Sequence, residues 1–271
     1  MDGNGGWVYD KGSFHLYILP YMEQDTLFNR VAKFDLYAPR VDTITRAIYH
    51  DDAGKLVPFG SGVLPRTLPY HRCPSDSQKQ YSFSSNYVGN GGIVDYSGSW
   101  ASCGFDPFSP LYCDGSKIGH KWSCYGDENG MFRYVDNPTR RPLRMTSATD
   151  GTSNTLLLGE DLIDKHTYLN DNSDGPRGCW TMDSGFQLHT ATIPINYPIV
   201  SSTKSPNFCT PDPAVNVFNL PTSAGYKSNH PGGANFGLLD GSVRFISDKI
   251  NPITLIQLAV RDDGEPFLTD F

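Results

Sequence analysis

Residues 226–250 read YKSNHPGGANFGLLDGSVRFISDKI and carry the clearest β-hairpin signal of the chain. Asp240-Gly241 lies there between two apolar runs, 235–239 and 242–246. An Asp-Gly pair between strand-like runs favours a hairpin, because a type I′ turn needs a positive φ at both central residues. We therefore predict a β-hairpin in which Asp240 and Gly241 form a type I′ turn.

A helix is predicted on either side of the strand-forming part of the chain. Asn251 and Pro252 are typical of the N-cap and first position of a helix, which should run to about Val260. Residues 226–271 are thus a hairpin plus a C-terminal helix. In residues 13–31 apolar side chains recur at helical spacing, and Pro20 should kink or divide this helix. It resembles the end of a longer amphipathic helix.

Two further strands and one turn are predicted between these ends. Cys73-Pro74-Ser75-Asp76 is typical of a β-turn with Pro at its second position. Residues 81–88 form a candidate strand that the glycine-rich residues 89–92 should close, and residues 155–159 form a second strand that ends at Glu160.

The composition favours a β-rich and loop-rich chain. Gly (27) and Pro (20) are abundant among the 271 residues, and long helical blocks are missing. We predict one α+β, β-rich domain over residues 1–271, in which the N-terminal helix packs on an antiparallel sheet and the C-terminal helix is short. Residues 93–142, rich in Gly, Ser and Asp, are interpreted as a long variable loop excursion.

The charge and hydropathy patterns exclude some functions. The formal charge of −7 and the lack of a dense Lys/Arg run argue against nucleic-acid binding. No apolar run approaches the ~18 residues that a membrane helix needs. The chain starts without a signal peptide, although its composition is typical of exported proteins, and we expect that an export signal was removed.

Six cysteines are candidates for disulfide bonds. No CxxC pair occurs, and the histidines lack zinc-finger spacing, which argues against a structural zinc site. An even number of cysteines in an acidic chain rich in Gly and Pro favours disulfides in an oxidising compartment, although six buried free thiols are the alternative. The pairing stays open among Cys73, Cys103, Cys113, Cys124, Cys179 and Cys209.

Four segments together resemble one protein family. They are Leu19–Gln24 (LPYMEQ), Cys73–Asp76 (CPSD) with Ser85–Tyr87 (SNY), Asp150–Glu160 (DGTSNTLLLGE) and His230–Phe245, which contains HPGG and DGSVRF. In this combination and order they resemble the DUF1559 family, abundant in planctomycetes, whose C-terminal part is the prepilin-type processing-associated H-x9-DG domain. The signature residues are His230, Gly232, Gly233, Asp240 and Gly241.

The resemblance implies a pilin-like head domain. Family members are similar to type IV pilins and type II secretion pseudopilins, which begin with a prepilin leader and a hydrophobic helix. It implies an extracytoplasmic location and membrane attachment only through an N-terminal helix that this sequence lacks. Other pilin-like subunits or secretion components are the expected partners, and glycans are a further candidate.

His230 and Asp240 do not suit a catalytic pair. A strand rises about 3.4 Å per residue, so ten extended residues separate the two by up to roughly 34 Å. Asp240 is interpreted as a turn residue, and His230 as a residue that caps or hydrogen-bonds the loop before the strand.

Acidic turns offer a possible cofactor site. Asp150 and Asn154 belong to a cluster with hard oxygen ligands that suit calcium, and some pseudopilins bind calcium. Local hydrogen-bonded turns are the alternative explanation. Apart from calcium, we expect no cofactor.

Carboxylates and tryptophans leave two alternatives to an assembly role. An extracellular hydrolase acting on polysaccharides or esters would use Glu160, Asp161 and Asp183, but the adjacent Glu160 and Asp161 should point to opposite faces of a strand. A glycan- or solute-binding module would use Trp100, Trp122 and Trp180, which are equally explained as core residues. The leading hypothesis is a non-catalytic, exported pilin-like or pseudopilin-like head for cell-surface or secretion-system assembly.

Overall fold

Helical segments form the N-terminal part of the fold. The computed structural model describes residues 12–37, 43–58, 61–65, 68–76, 85–93, 108, 129–133, 143–162, 188–198 and 224–264. The first elements are helix α1 (Phe14–Tyr17), a 3-10 helix (Leu19–Met22) and helix α2 (Asp25–Ala32). Pro20 lies in the 3-10 helix, and Glu23 closes it with a left-handed φ of 58°. The prediction that Pro20 divides this helix is confirmed.

These helices bury their apolar side chains in a cluster of their own. Helix α3 (Thr43–Tyr49), which the sequence analysis did not predict, packs there, and a 3-10 helix (Pro69–His71) follows it in the chain. Buried members of the cluster include Leu16, Leu19, Val31, Ile44 and Leu64. The expected packing of the N-terminal helix on the sheet is therefore only partial, because the helix packs mainly against other helical segments.

A five-stranded sheet forms the second part of the fold. Its strands are β1 (Tyr87–Gly92), β2 (Leu156–Glu160), β3 (Leu188–Thr190), β4 (Gly233–Leu238) and β5 (Val243–Ser247). The order in the sheet is β3-β1-β2-β4-β5. The α+β, β-rich prediction is confirmed. The sheet is mixed rather than antiparallel, since β3 runs parallel to β1 while the other pairs are antiparallel.

Strand β1 runs through the glycine-rich segment that was expected to close it. A side chain at Gly89 would collide with Phe132 and Leu188, so a glycine lets these residues pack against the strand. The Asn90 side chain donates to the carbonyls of Leu156 and Ala259, at 2.9 and 2.7 Å. Its oxygen accepts from Gly92 N and the Tyr226 hydroxyl. These hydrogen bonds offset the cost of burying the polar Asn90 side chain in this strand.

The hairpin is where it was predicted, but its turn is of another type. Gly241 has a φ of 86°, whereas Asp240 does not have a positive φ. Gly241 N donates to Leu238 O at 3.0 Å, and Leu238 N donates to Ser242 O at 2.8 Å. This is a three-residue loop that ends in a left-handed glycine, so the type I′ prediction was wrong.

The C-terminal helix, α4 (Pro252–Ala259), forms as predicted. The Asn251 side chain accepts from Ile253 N at 2.9 Å and caps the helix. Its buried residues, such as Leu255, Ile256 and Leu258, join Val88, Phe236 and Leu238 in the core under the sheet. Helix α4 therefore packs on the sheet. A short 3-10 helix (Met145–Ser147) precedes β2.

Most of the predicted loop excursion, residues 93–142, lies outside the described residues. Within its described residues, 93, 108 and 129–133, the last group contacts the sheet: Gly130 N donates to Gly91 O at 3.0 Å. That the whole chain is one domain stays a prediction.

Candidate functional site

Three distant segments meet at one end of strands β2 and β4. Glu160 is the last residue of β2, and His230 lies just before β4, which runs antiparallel to β2. Cys73 follows the 3-10 helix Pro69–His71. The antiparallel register places the end of one strand beside the start of the other, and the Cys73 turn contacts both.

One nitrogen of His230 faces two other ligand-type atoms. His230 Nε2 lies 3.3 Å from Glu160 Oε1 and 3.7 Å from Cys73 Sγ. Cys73 Sγ lies 3.6 Å from Glu160 Oε1, which completes a triangle. The Ser75 hydroxyl lies beside it, 3.0 Å from Cys73 Sγ and 3.4 Å from His230 Nε2. We refer to Cys73, Glu160 and His230 as the thiol–acid–imidazole cluster.

Asn235 orients the carboxylate of Glu160. The backbone N–H of Asn235 donates to Glu160 Oε2 at 2.7 Å, and its side-chain amide lies 3.3 Å from the same oxygen. The side chain of Glu160 is 6% exposed. The Asn235 amide also lies 3.4 Å from Glu160 Oε1, the oxygen that faces Cys73 and His230.

Asn86 fixes the turn that carries Cys73. Asp76 N donates to Cys73 O at 3.0 Å, so the predicted turn at 73–76 is confirmed. The Asn86 side-chain oxygen accepts from Cys73 N at 2.9 Å. Its amide donates to Asp76 Oδ2 at 2.8 Å and to Asp161 O at 2.9 Å. One buried side chain therefore joins the turn to the end of β2.

An ion pair and a tyrosine with a raised pKa lie close to the cluster. Arg72 forms an ion pair with Asp76 at 2.9 Å, and this carboxylate is buried. Burial, followed by the charges of Cys73 and Glu160, raises the pKa of Tyr87 above its ordinary value. The Tyr87 phenol accordingly stays neutral beside an acidic site.

Asp161 belongs to a second group of buried polar side chains, with His189 and Lys227. His189 Nε2 is 3.3 Å from Asp161 Oδ2, and both side chains are buried. Burial lowers the pKa of Lys227 to about 8, although the charge of Asp161 opposes this shift. Glu160 contacts Cys73 and His230 instead. The adjacent acids Glu160 and Asp161 therefore contact different groups of side chains.

His230 precedes strand β4 and Asp240 follows it, and the two side chains have different partners. Asp240 is exposed and accepts from the backbone N–H and the hydroxyl of Ser242, at 2.8 and 2.6 Å. These bonds lower the pKa of Asp240. His230 uses its backbone N–H within its own loop, through a bond to Ser228 Oγ at 3.1 Å. Its imidazole, however, contacts Cys73 and Glu160, which the sequence analysis did not foresee.

Two signature glycines make the approach to β4 possible. Gly232 has a φ of 81°, a conformation that L side chains rarely adopt. A side chain at Gly233 would collide with the carbonyl of Ile246 on strand β5. The signature residues thus bring His230 close to the end of the sheet.

The two predicted calcium ligands, Asp150 and Asn154, take part in hydrogen bonds of a loop. The Asp150 carboxylate accepts from Asp263 N and Gly264 N, at 2.9 and 3.0 Å. The Asn154 amide donates to Asp150 O at 3.1 Å. Asp150 thus connects this turn to the segment that follows helix α4, and a calcium ion at Asp150 and Asn154 stays a prediction.

Of the predicted disulfide cysteines, hydrolytic acids and tryptophans that remain, the structure describes only Cys73. Cys73 is a buried free thiol, so it leaves the set of disulfide candidates. The remaining predicted site residues lie outside the described part of the chain: Cys103, Cys113, Cys124, Cys179, Cys209, Asp183, Trp100, Trp122 and Trp180.

The cluster does not have the arrangement of a catalytic triad. In a Cys–His–acid triad, one imidazole nitrogen faces the nucleophile and the other faces the acid. Here Nε2 alone faces both Cys73 and Glu160. Three potential ligand atoms that lie within 4.8 Å of one another are instead typical of a metal site, and no other such cluster occurs among the described residues. Its members were each identified separately by sequence, but no local pattern connects them.

The comparisons with known proteins point to one family. The sequence model of the family described as "Protein of unknown function (DUF1559)" matches residues 1–252. No curated protein and no solved structure matches the chain.

Proposed function

Because this chain belongs to the DUF1559 family, we propose that it is the exported head of a pilin-like or pseudopilin-like protein. Its role is assembly with pilin-like subunits or secretion components through protein–protein contacts at the cell surface. The family resemblance drawn from the four segments is confirmed by the match to residues 1–252. The assembly role and the extracytoplasmic location are parts of the proposal.

The observation that carries the proposal is the exposed edge strand β5. Among the described residues it is the last strand in the sheet order, and it pairs with β4 on one side. Val243 is 71% exposed and Phe245 is 51% exposed. An edge strand with unpaired backbone groups and exposed apolar side chains can pair with a strand of another chain. We assign this edge to a second pilin-like subunit, in keeping with the resemblance.

The described residues give less support to a hydrolase. Glu160 is hydrogen-bonded to Asn235, and Asp161 lies beside His189, so the two acids do not flank a common cleft. A cavity of about 450 Å³ beside α2 has no carboxylate in its lining, which is Gln24, Thr26, Leu27, Arg30, Gly62, Val63, Leu64, Pro65 and Leu68. Two acids across a cleft are what glycoside hydrolysis requires.

No helix among the described residues has the length and apolar character to span a bilayer.

Photo-crosslinking from position 245 tests the assembly role. A benzophenone amino acid replaces Phe245 in the full-length protein, expressed in its own cells. We expect light-dependent adducts with pilin-like or secretion subunits, identified by mass spectrometry, because the side chain lies on an open strand edge.

The matched control carries the same probe at Leu56, which is 69% exposed and lies outside the sheet. Adduct yield should be several-fold higher from position 245 than from position 56. Equal yields at the two positions, or adducts only with cytoplasmic proteins, would contradict the proposal.

A further inference from the structure

We propose that Cys73, Glu160 and His230 bind one zinc ion, with a fourth coordination position open beside Ser75. The ligand atoms would be Cys73 Sγ, Glu160 Oε1 and His230 Nε2. This inference does not depend on the assembly role, since it is argued from the distances among the three ligand atoms.

The distances between the three atoms match the edges of a zinc tetrahedron. Zn–S bonds of about 2.3 Å and Zn–N or Zn–O bonds of about 2.1 Å, set at the tetrahedral angle, place sulfur about 3.6 Å from nitrogen or oxygen. The same geometry separates nitrogen from oxygen by about 3.4 Å. The structure has 3.7 Å for Sγ–Nε2, 3.6 Å for Sγ–Oε1 and 3.3 Å for Nε2–Oε1.

The donor set favours zinc over calcium and magnesium. Calcium and magnesium prefer ligand shells made of oxygen, and the cluster offers only one carboxylate. A thiolate, an imidazole and a carboxylate suit zinc, which accepts sulfur, nitrogen and oxygen ligands. Three protein ligands with an open fourth position are typical of zinc sites that exchange water or a substrate group.

Neighbouring side chains hold the ligands in place. The short bond from the backbone N–H of Asn235 goes to Glu160 Oε2, and Oε1, which faces the cluster, has only the longer contact of 3.4 Å to the Asn235 amide. Asn86 holds the backbone N–H of Cys73 and leaves its sulfur available. Partners of this kind orient ligands and strengthen metal binding.

The site can exchange its ion with solvent. Cys73 and Glu160 are buried, but the side chain of His230 is 30% exposed. The Ser75 hydroxyl lies 3.4 Å from His230 Nε2 and 3.0 Å from Cys73 Sγ. It can hydrogen-bond the thiolate or a water molecule in the fourth position.

Zinc titration of the untagged, reduced protein tests the site. The free zinc concentration is set with a chelator, and bound zinc is measured by elemental analysis. We expect one zinc per chain. Each of Cys73→Ser, Glu160→Gln and His230→Gln should weaken zinc binding by more than about a hundredfold, because a hundredfold is the largest loss typical of residues that only orient a metal ligand. His50→Gln is the matched control, because His50 contacts Arg46 O and lies outside the cluster. It should bind zinc as the parent protein does.

Cobalt substitution gives a second readout. Tetrahedral cobalt bound by a thiolate absorbs strongly in the near ultraviolet through charge transfer from sulfur, and Cys73→Ser should remove this band. Glu160→Gln keeps an acceptor for Asn235 and His230→Gln changes a partly exposed residue, so these two variants test the site even if Cys73→Ser fails to fold. Zinc binding that survives both substitutions, a parent protein that takes up no zinc, or a cobalt complex without the sulfur band would overturn the proposal.

Discussion

Asn86→Ala is expected to lower the free energy of unfolding by about 3 kcal/mol, because it removes three hydrogen bonds from a largely buried turn. The side chain accepts from Cys73 N and donates to Asp76 Oδ2 and Asp161 O, at 2.8 to 2.9 Å. Each buried group that loses its partner costs about 1–3 kcal/mol, and the cavity adds to this. Urea denaturation of the parent protein and the variant measures the difference.

Asn154→Ala is the matched control for Asn86→Ala. Asn154 also carries an amide in a turn, but its side chain makes one described bond, to Asp150 O. Its loss should cost about 1 kcal/mol. Asn86→Ala should also weaken zinc binding, since it releases the turn that holds Cys73. If both variants lost the same stability, or if Asn86→Ala bound zinc normally, Asn86 would not have the positioning role assigned here.

The stability of the protein is expected to fall steeply in acid because of His71. Burial first, and then the neighbouring His15, lower the pKa of His71 to about 2. The side chain is 1% exposed, and its ring centroid is 4.6 Å from that of His15. In the unfolded chain His71 takes up a proton below its ordinary pKa of about 6.5. The folded state therefore binds fewer protons between pH 6.5 and pH 2, and its stability decreases as the pH falls through that range.

The size of this effect follows from the pKa difference. Each pH unit below about 6.5 costs about 1.4 kcal/mol, so lowering the pH to about 4.5 costs about 3 kcal/mol through this one group. His71→Phe removes the titrating group and keeps an aromatic ring beside Tyr70, whose ring centroid lies 4.7 Å away. Denaturation curves at both pH values should show a smaller acid loss in the variant. Parallel losses in the two proteins would contradict the assignment, because other acid-sensitive groups are common to both.

Local signals predicted the elements whose stability depends on local chemistry. The Asn251 side chain caps helix α4, and Asp76 N closes the turn that begins at Cys73. These bonds connect residues at most three positions apart, so residue type and order are sufficient to predict them. The hairpin position was also predicted, but the choice between turn types depends on backbone pairing further along the strands.

Strand β1 shows where local signals fail. Glycine normally weakens a strand, and the run from Gly89 to Gly92 was therefore expected to close the candidate strand at residues 81–88. The strand forms because Phe132 and Leu188 occupy the space above Gly89, and because Asn90 is bonded to Leu156 O and Ala259 O. These partners are distant in sequence, and tertiary packing overrides the local preference.

The thiol–acid–imidazole cluster could not be predicted for the same reason. Cys73 and Glu160 are 87 positions apart, and Cys73 and His230 are 157 positions apart. Sequence analysis therefore assigned each residue a separate role: a disulfide, a hydrolytic acid and a loop cap. A usable signal was that all three residues belong to the segments that carry the family resemblance. Only the sheet register shows that these segments meet.

X-ray absorption at the zinc edge tests the central claim most directly. The protein is loaded with one equivalent of zinc in reducing buffer. The account predicts one sulfur ligand at about 2.3 Å and two or three nitrogen or oxygen ligands at about 2.0–2.2 Å. A coordination shell without sulfur, or one with two or more sulfur ligands, would contradict a zinc site built from Cys73, Glu160 and His230.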